Sequence, residues 1–409
     1  MASELLLLEV GILFAAVAIA GLIATRLGQS VIPFYIVSGM LLSPFVLGRL
    51  DMPYVAETEF VKIGAELGIV FLLFFLGLEF NLDRLIESKQ EIGTAGTIDL
   101  VINFGVGLIL GYALFRDPLA AFLAAGIVYI SSSAIITKSL IDLGWIANDE
   151  SAPMLGTLVY EDLVIAVYLA VASAIVLGGD GFGDAAVSIG IAMGFILLLL
   201  LAVYFGTSYF ARVLETDSNE FVVLRVIGVT VLIAGGALAL GVSEAVAAFF
   251  VGMAFSATGH VHEIENLLEP VRDTFAAVFF FWIGLITDPL LFAGVAGLIA
   301  AAVIVTTPTK LVSGFLGGKA YDLDDRRSTR VALGMTTRGE FSLIIATIAL
   351  AGAEAGTFPE ALATDINAFA VGYVLVMAIL GTTLMQYSEP FERFVVERRN
   401  ESDASVAAD

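Results

Sequence analysis

Two carboxylates, Glu161 and Asp162, stand side by side in a segment, residues 152–178, that is otherwise almost wholly apolar. A carboxylate near the middle of a bilayer costs roughly 2.5–3.5 kcal/mol even on the most lenient scale, and the usual reason to keep one is an ion or proton pathway. A matching cation, Lys310, stands alone in another apolar run. Neighbouring helix positions differ by about 100°, so one carboxylate can meet Lys310 while the other faces a cavity. An opposite charge nearby keeps a buried lysine charged. A carboxylate that faces water binds either a proton or a hard monovalent cation, and competition of the two for one group is the chemistry of exchange. A purely structural ion pair accounts for Lys310 and one carboxylate only. The second is the functional candidate, and Asp162 is the position favoured to hold a proton or a metal cation. Glu66, Glu244 and Asp99, also within or near apolar runs, rank below the pair as cavity-lining or packing groups.

The elements that must position these groups are membrane helices. The chain is 59% hydrophobic, against roughly 45–50% in soluble domains. Thirteen stretches approach the 20 or so residues that cross a bilayer core. They begin near residues 4, 30, 60, 94, 118, 152, 184, 220, 241, 268, 290, 328 and 366, which predicts an all-α polytopic membrane protein. The first is read as a span rather than a signal peptide, because it has no basic leading region and Arg26 follows its apolar run. Counting from the surface that receives most of the basic residues, Glu161, Lys310, Ser132 and Thr337 all fall roughly 12–14 Å deep at about 1.5 Å per residue. Four polar features from four helices therefore share one layer.

Two of those features are interruptions. Ser131, Ser132 and Ser133 break the fifth span, and Thr336, Thr337, Arg338 and Glu340 break the twelfth. Gly339 lies 207 positions after Ser132, and the same 207 separates Gly77, in a Phe-Leu-Gly-Leu string, from Gly284, in a Trp-Ile-Gly-Leu string. Seven spans between partners make the two copies run in opposite directions. This is the inverted repeat of secondary transporters, whose broken helices place substrates near mid-membrane.

Charge supplies a topology and some exclusions. With the N-terminus outside, fourteen Lys and Arg lie on the cytoplasmic side. Arg49, Lys62 and Arg116 lie outside, and Lys310 and Arg338 lie within the membrane, which accounts for all 19. The net charge of −22 rules out a basic nucleic-acid surface and suits a high-salt environment. The absence of cysteine removes thiolate metal sites and cysteine nucleophiles. No cofactor is expected. Residues 391–409, small and acidic, read as a disordered cytoplasmic tail.

Four strings together resemble the second family of monovalent cation:proton antiporters, which includes Kef-type and Nap-type transporters. They are Glu66-Leu67-Gly68 through Phe75-Leu76-Gly77-Leu78-Glu79, the Ser-Ser-Ser-Ala-Ile run at 131–135, Glu161-Asp162, and Arg338-Gly339-Glu340-Phe341. The resemblance covers the membrane region, about 1–390. It implies a homodimer in the plasma membrane, with a dimer part at about 4–80 and 220–288. A mobile core at about 94–178 and 290–388 and a linker helix at about 184–214 complete the division. Asp162 then carries the transported ion, Na⁺ rather than K⁺, in exchange for H⁺. Glu161 replaces a residue that is Asp in electrogenic sodium exporters and Gln in glutathione-gated potassium members, and Lys310 matches the intramembrane lysine of Nap-type members. Kef-type chains continue into a nucleotide-binding domain, whereas this sequence stops soon after the last span. Such control is expected from a separate cytoplasmic subunit, if at all. The alternative reading is a ligand-gated potassium efflux channel, or a K⁺/H⁺ transporter controlled by a separate cytoplasmic nucleotide-binding subunit.

Overall fold

A computed structural model describes residues 2–79, 89–177, 219–239 and 244–406, with isolated positions between 190 and 218. Among these residues the chain is helical, with no strand. In order the helices are α1 (Ala2–Arg26), α2 (Val31–Leu41), α3 (Glu59–Glu79) and α4 (Lys89–Asp99). A π-helical turn, Leu100–Phe104, joins α4 to α5 (Gly105–Phe115). There follow α6 (Pro118–Tyr129), α7 (Ser133–Asp142), α8 (Ser151–Leu177), α9 (Asn219–Ala239) and α10 (Glu244–Ser256). The rest are α11 (Val261–Ile286), α12 (Leu291–Ala320), α13 (Asp325–Gly334), α14 (Glu340–Glu354), α15 (Glu360–Gln386) and α16 (Glu389–Val406). Eight of the described helical stretches are long and apolar enough to cross a membrane. Twelve of the thirteen expected segments coincide with helices. The one from residue 184, the expected linker, lies largely outside the described residues.

Helix α3 packs on α10 and α11, α11 also on α2, and α2 on α1. Glycines allow these contacts. A Cβ at Gly77 would overlap the Phe249 carbonyl, and one at Gly252 would overlap that of Phe74. In the same way Gly39 meets Phe281 and Gly284 meets Ile36. With Gly77 equivalent to Gly284 at the offset of 207, and Gly39 to Gly252 at 213, each crossing is the image of the other. Small residues at such positions let backbones approach closely where dispersion, not water, drives packing. Gly68 meets Phe275, 207 positions on, and equivalent residues touch each other only at a symmetry axis. The packing thus displays the repeat as a pseudo-two-fold between antiparallel copies.

The other helices pack around the interrupted ones. Helix α12 packs on α4, α13 and α15, while α14 packs on α6, α8 and α15. Asp117 caps α6 by accepting from the Ala120 N–H at 2.7 Å, with Pro118 in its first turn. The helix ends at Ile130, where the backbone turns extended, and Ser132 caps α7. The second break runs from Met335 to Gly339 between α13 and α14. The two breaks touch: the Ser132 N–H donates to the Thr337 carbonyl at 3.3 Å. A Cβ at Gly339 would overlap the Ser132 side chain, so this crossing too joins repeat equivalents.

Residues Glu389–Val406, read from the sequence as part of an acidic tail, form α16, and Glu392 in its first turn is drawn into a charged cluster. Arg330 Nε donates to Glu392 at 2.8 Å and Arg326 Nε at 2.5 Å, while Ser388 donates at 2.7 Å. Arg330 also donates to Glu150 at 2.6 Å and lies over the Trp145 ring. Composition alone hides the two arginines, which lie more than sixty positions away. Burial acts to raise the Glu392 carboxyl, but the Arg330, Arg326 and Ser388 hydrogen bonds outweigh it and hold the group below the ordinary glutamate value. A depressed carboxyl contributes stability that is complete above about pH 4.3 and fades as pH falls through its folded value. Acidification below about pH 4 is therefore expected to loosen α16, and Glu392→Gln to do so at neutral pH. Hydrogen bonds to charged groups contribute about 1.5–3 kcal/mol, so amide exchange over α16 should quicken roughly tenfold or more. Unchanged exchange would show that α16 is held by other contacts.

Candidate functional site

Lys310 sits in the middle of α12 with no exposed surface. Its three N–H bonds meet three acceptors: Asp99 Oδ2 at 2.6 Å, Glu161 Oε1 at 2.7 Å and the Tyr129 carbonyl at 3.0 Å. An ammonium has three donors, so it is saturated. Glu161, on α8, is also fully buried. It accepts the Ser131 N–H at 2.7 Å on one oxygen and the Ser131 hydroxyl at 3.0 Å on the other. Ser131 lies in the first helix break, so the carboxylate joins α8, α12 and the crossing in one hydrogen-bonded unit. The layer expected from depth counting is therefore one connected cluster: Lys310 on Glu161, Glu161 on Ser131, and Ser132 on Thr337.

The crossing gathers helix ends of like polarity. Arg338, fully buried, donates from Nε to the Val128 carbonyl at 2.9 Å, near the end of α6. Its Nη1 donates to the carbonyls of Met335, Thr336 and Thr337 at 2.9–3.2 Å, beyond the end of α13. A positive charge thus meets two negative C-terminal helix ends. Glu340 does the converse. It accepts from the hydroxyls of Ser132 at 2.7 Å and Ser133 at 3.1 Å, and from the Ala134 N–H at 3.4 Å, at the start of α7 and in the first turn of its own helix. Arg338 and Glu340 are thus engaged by the backbone and hydroxyls of the breaks. Thr336 donates to the Leu333 carbonyl at 2.7 Å. The Thr337 hydroxyl is buried without a hydrogen-bond partner among the described residues.

Asp162 follows Glu161 on α8, about 100° round the helix, and is 7% exposed. Glu161 takes the lysine and Asp162 occupies the next position in the same layer. Among the described residues no cluster of three or more Asp, Glu, His or Cys is placed to hold a metal ion. Glu66 and Glu244 lie elsewhere. They line a cavity of about 690 Å³ with Lys62, Trp282, Ile344 and Glu354, between the glycine-crossed helices and α8, α14 and α15. Lys62 pairs with Glu354 at 3.2 Å at its rim.

Asp99 is the residue that sequence reasoning ranked too low. It packs at the end of α4, next to the π-helical turn, and is 1% exposed. The span was taken to begin near residue 94, which leaves Asp99 close to the surface. The described helix already includes Lys89, which puts Asp99 at least about 15 Å along it. Asp99 also accepts from the Ser313 hydroxyl at 2.7 Å and the Asn103 amide at 2.9 Å. The offset from Asp99 to Asn103 on one helix face was legible, but neither Ser313 nor Lys310 is near in sequence.

A model of the sodium/hydrogen exchanger transmembrane family matches residues 12–387. The chain belongs to this family. It is 37% identical over 393 residues, 95% of each chain, to the K⁺/H⁺ antiporter subunit KhtU of Bacillus subtilis. It is 28% identical over 389 residues, 93% of each chain, to the ammonium/H⁺ antiporter subunit AmhT of Alkalihalophilus pseudofirmus. Its fold is that of the sodium proton antiporter MjNhaP1 from Methanocaldococcus jannaschii, with a TM-score of 0.71 at 18% identity, covering 93% of this chain and 97% of the other. The protein is thus a multi-pass membrane cation/proton antiporter and not an enzyme.

Proposed function

We propose that the protein exchanges a monovalent cation for protons at Asp162 by alternating access in the plasma membrane. The observation that carries this reading is the placement of Asp162. It lies beside a carboxylate already committed to a buried lysine, in the layer where two broken helices cross. Asp162 holds either the cation or a proton, and the Thr337 hydroxyl is a neutral oxygen available at the crossing. The charge retained at Glu161 favoured sodium on sequence grounds. The similarity to KhtU over 95% of the chain favours potassium, and potassium is the cation proposed first.

The glycine-crossed helices α1–α3 and α9–α11 form the fixed part and the interface of a homodimer in this reading. Helices α4–α8 and α12–α15 form the part that moves. The N-terminus is outside, and the Arg326–Arg330–Glu392 cluster faces the cytoplasm. Two relatives carry the word subunit in their names, which supports a separate cytoplasmic partner for this chain as well.

The test is proton flux in proteoliposomes that hold an imposed pH gradient. Added potassium, or sodium, should collapse the gradient in a saturable way, with a preference of tenfold or more for one of them. A potassium current without proton movement would establish a channel instead.

A further inference from the structure

Helix α15 ends at Gln386 and α16 begins at Glu389, so α16 starts at the membrane surface that α15 reaches. Toward that end α15 turns Val376, Ile379 and Thr383 outward. Tyr387, Phe391 and Phe394 continue the exposed line, at 67%, 44% and 56% exposure. Successive helix positions differ by about 100°, so Phe391 and Phe394 lie about 60° apart on one face of α16, and Glu392 lies about 130° round from their midpoint. Glu392 and Ser388 are buried, with Glu392 held by Arg326 and Arg330. Those arginines stand in the first two turns of α13, which begins at Asp325, five positions after α12 ends at Ala320. The anchor thus holds α16 level with the ends of two spans, α12 and α15. Glu389, Arg393 and Glu397, all exposed, fill the remaining face, and the first two pair with each other.

We infer that α16 is an interfacial helix, with its Tyr387, Phe391 and Phe394 side seated in the headgroup–acyl boundary of the phospholipid bilayer and its Glu392 side holding α13 at that surface. Aromatic side chains concentrate where a bilayer meets water, and a helix with one apolar and one charged face lies in that plane. The aromatic side continues the outward face of a span, so the lipid that meets α15 meets α16 next. The charge of the helix says what kind of lipid contact this is. Five acidic residues stand against three arginines in α16, so attraction to anionic headgroups is not the driving term. The seat is apolar and takes neutral and anionic phospholipid alike.

The chain has no cysteine, so a single introduced cysteine can carry a nitroxide in the full protein in liposomes. In Phe391→Cys and Phe394→Cys the label should collide with dissolved oxygen more often than with a water-soluble nickel chelate, and lie about 5–10 Å below the phosphates. In Arg393→Cys and Glu397→Cys the order should reverse. Both results should hold in neutral and in anionic liposomes. Labels at 391 and 394 as open to nickel as the label at 397 would overturn the inference and leave the aromatic side to a soluble partner. Labels shielded from both reagents would overturn it in favour of a protein cover, a second copy of this chain included. Shielding confined to anionic liposomes would overturn the apolar seat. A second measurement keeps the rings in place. The unaltered chain is reconstituted with phospholipid that carries a diazirine high in its acyl chain, and light should attach that lipid to the peptide holding Phe391 and Phe394. Attachment elsewhere on the protein but not to this peptide would overturn the inference as well.

Discussion

Asp162→Asn is expected to reduce cation-dependent proton flux to the level of empty liposomes while the protein still inserts and folds. The substitution keeps the shape of the side chain and removes the only property the mechanism asks of it, a charge that a proton and a cation can each neutralise. Glu161 cannot take over. Both of its oxygens are bonded, to Lys310 and Ser131, and freeing it would strand the lysine. Arg338 and Glu340 are likewise committed to helix ends. Folding should survive because asparagine keeps the shape of the side chain and relieves the cost of a buried carboxylate. Proteoliposome flux, with melting temperature measured on the same preparation, decides the matter. Flux within a fewfold of the unaltered protein at a normal melting temperature would move the ion site away from Asp162.

Much of this architecture was legible in the sequence because membranes restrict the vocabulary. Backbone groups in lipid must be satisfied internally, so apolar stretches of sufficient length are helices. Polar residues in them are then few enough to be counted by depth. Glu161, Lys310 and the two breaks could be placed in one layer for that reason. The repeat offset of 207 was visible at Gly77 and Gly284 because a glycine is required where backbones nearly touch. Less legible was anything that depended on a helix start. Taking the fourth span from residue 94 instead of Lys89 hid the depth of Asp99. The crossing polarity was hidden too. Arg338 and Glu340 read as lining residues, since no spacing rule says that their partners are the carbonyls of Val128 and Thr337 or the hydroxyl of Ser132. The helix after Glu389 was missed because its composition is that of a tail and its anchors, Arg326 and Arg330, are remote in sequence.

Lys310→Ala should be the most destabilising single change in the site. It leaves Asp99 and Glu161 buried with the shared cation gone, and removing one partner from a buried ionic cluster costs about 3–5 kcal/mol. The reverse changes should cost less. In Glu161→Gln the ammonium still has Asp99 at 2.6 Å, and in Asp99→Asn it still has Glu161 at 2.7 Å. This asymmetry follows from one cation serving two anions, and an isolated pair would not show it. Combining either change with Lys310→Ala should recover part of the loss, because each removes one stranded carboxylate. The triple variant Asp99→Asn, Glu161→Gln, Lys310→Ala should recover more than either double. Thermal melting of the purified variants in one detergent, read as a double-mutant cycle, measures the coupling directly. Strictly additive losses would mean that the three groups are not coupled. Recovery by Glu161→Gln alone, with none by Asp99→Asn, would reduce the cluster to a simple pair and leave Asp99 to its hydrogen bonds with Ser313 and Asn103.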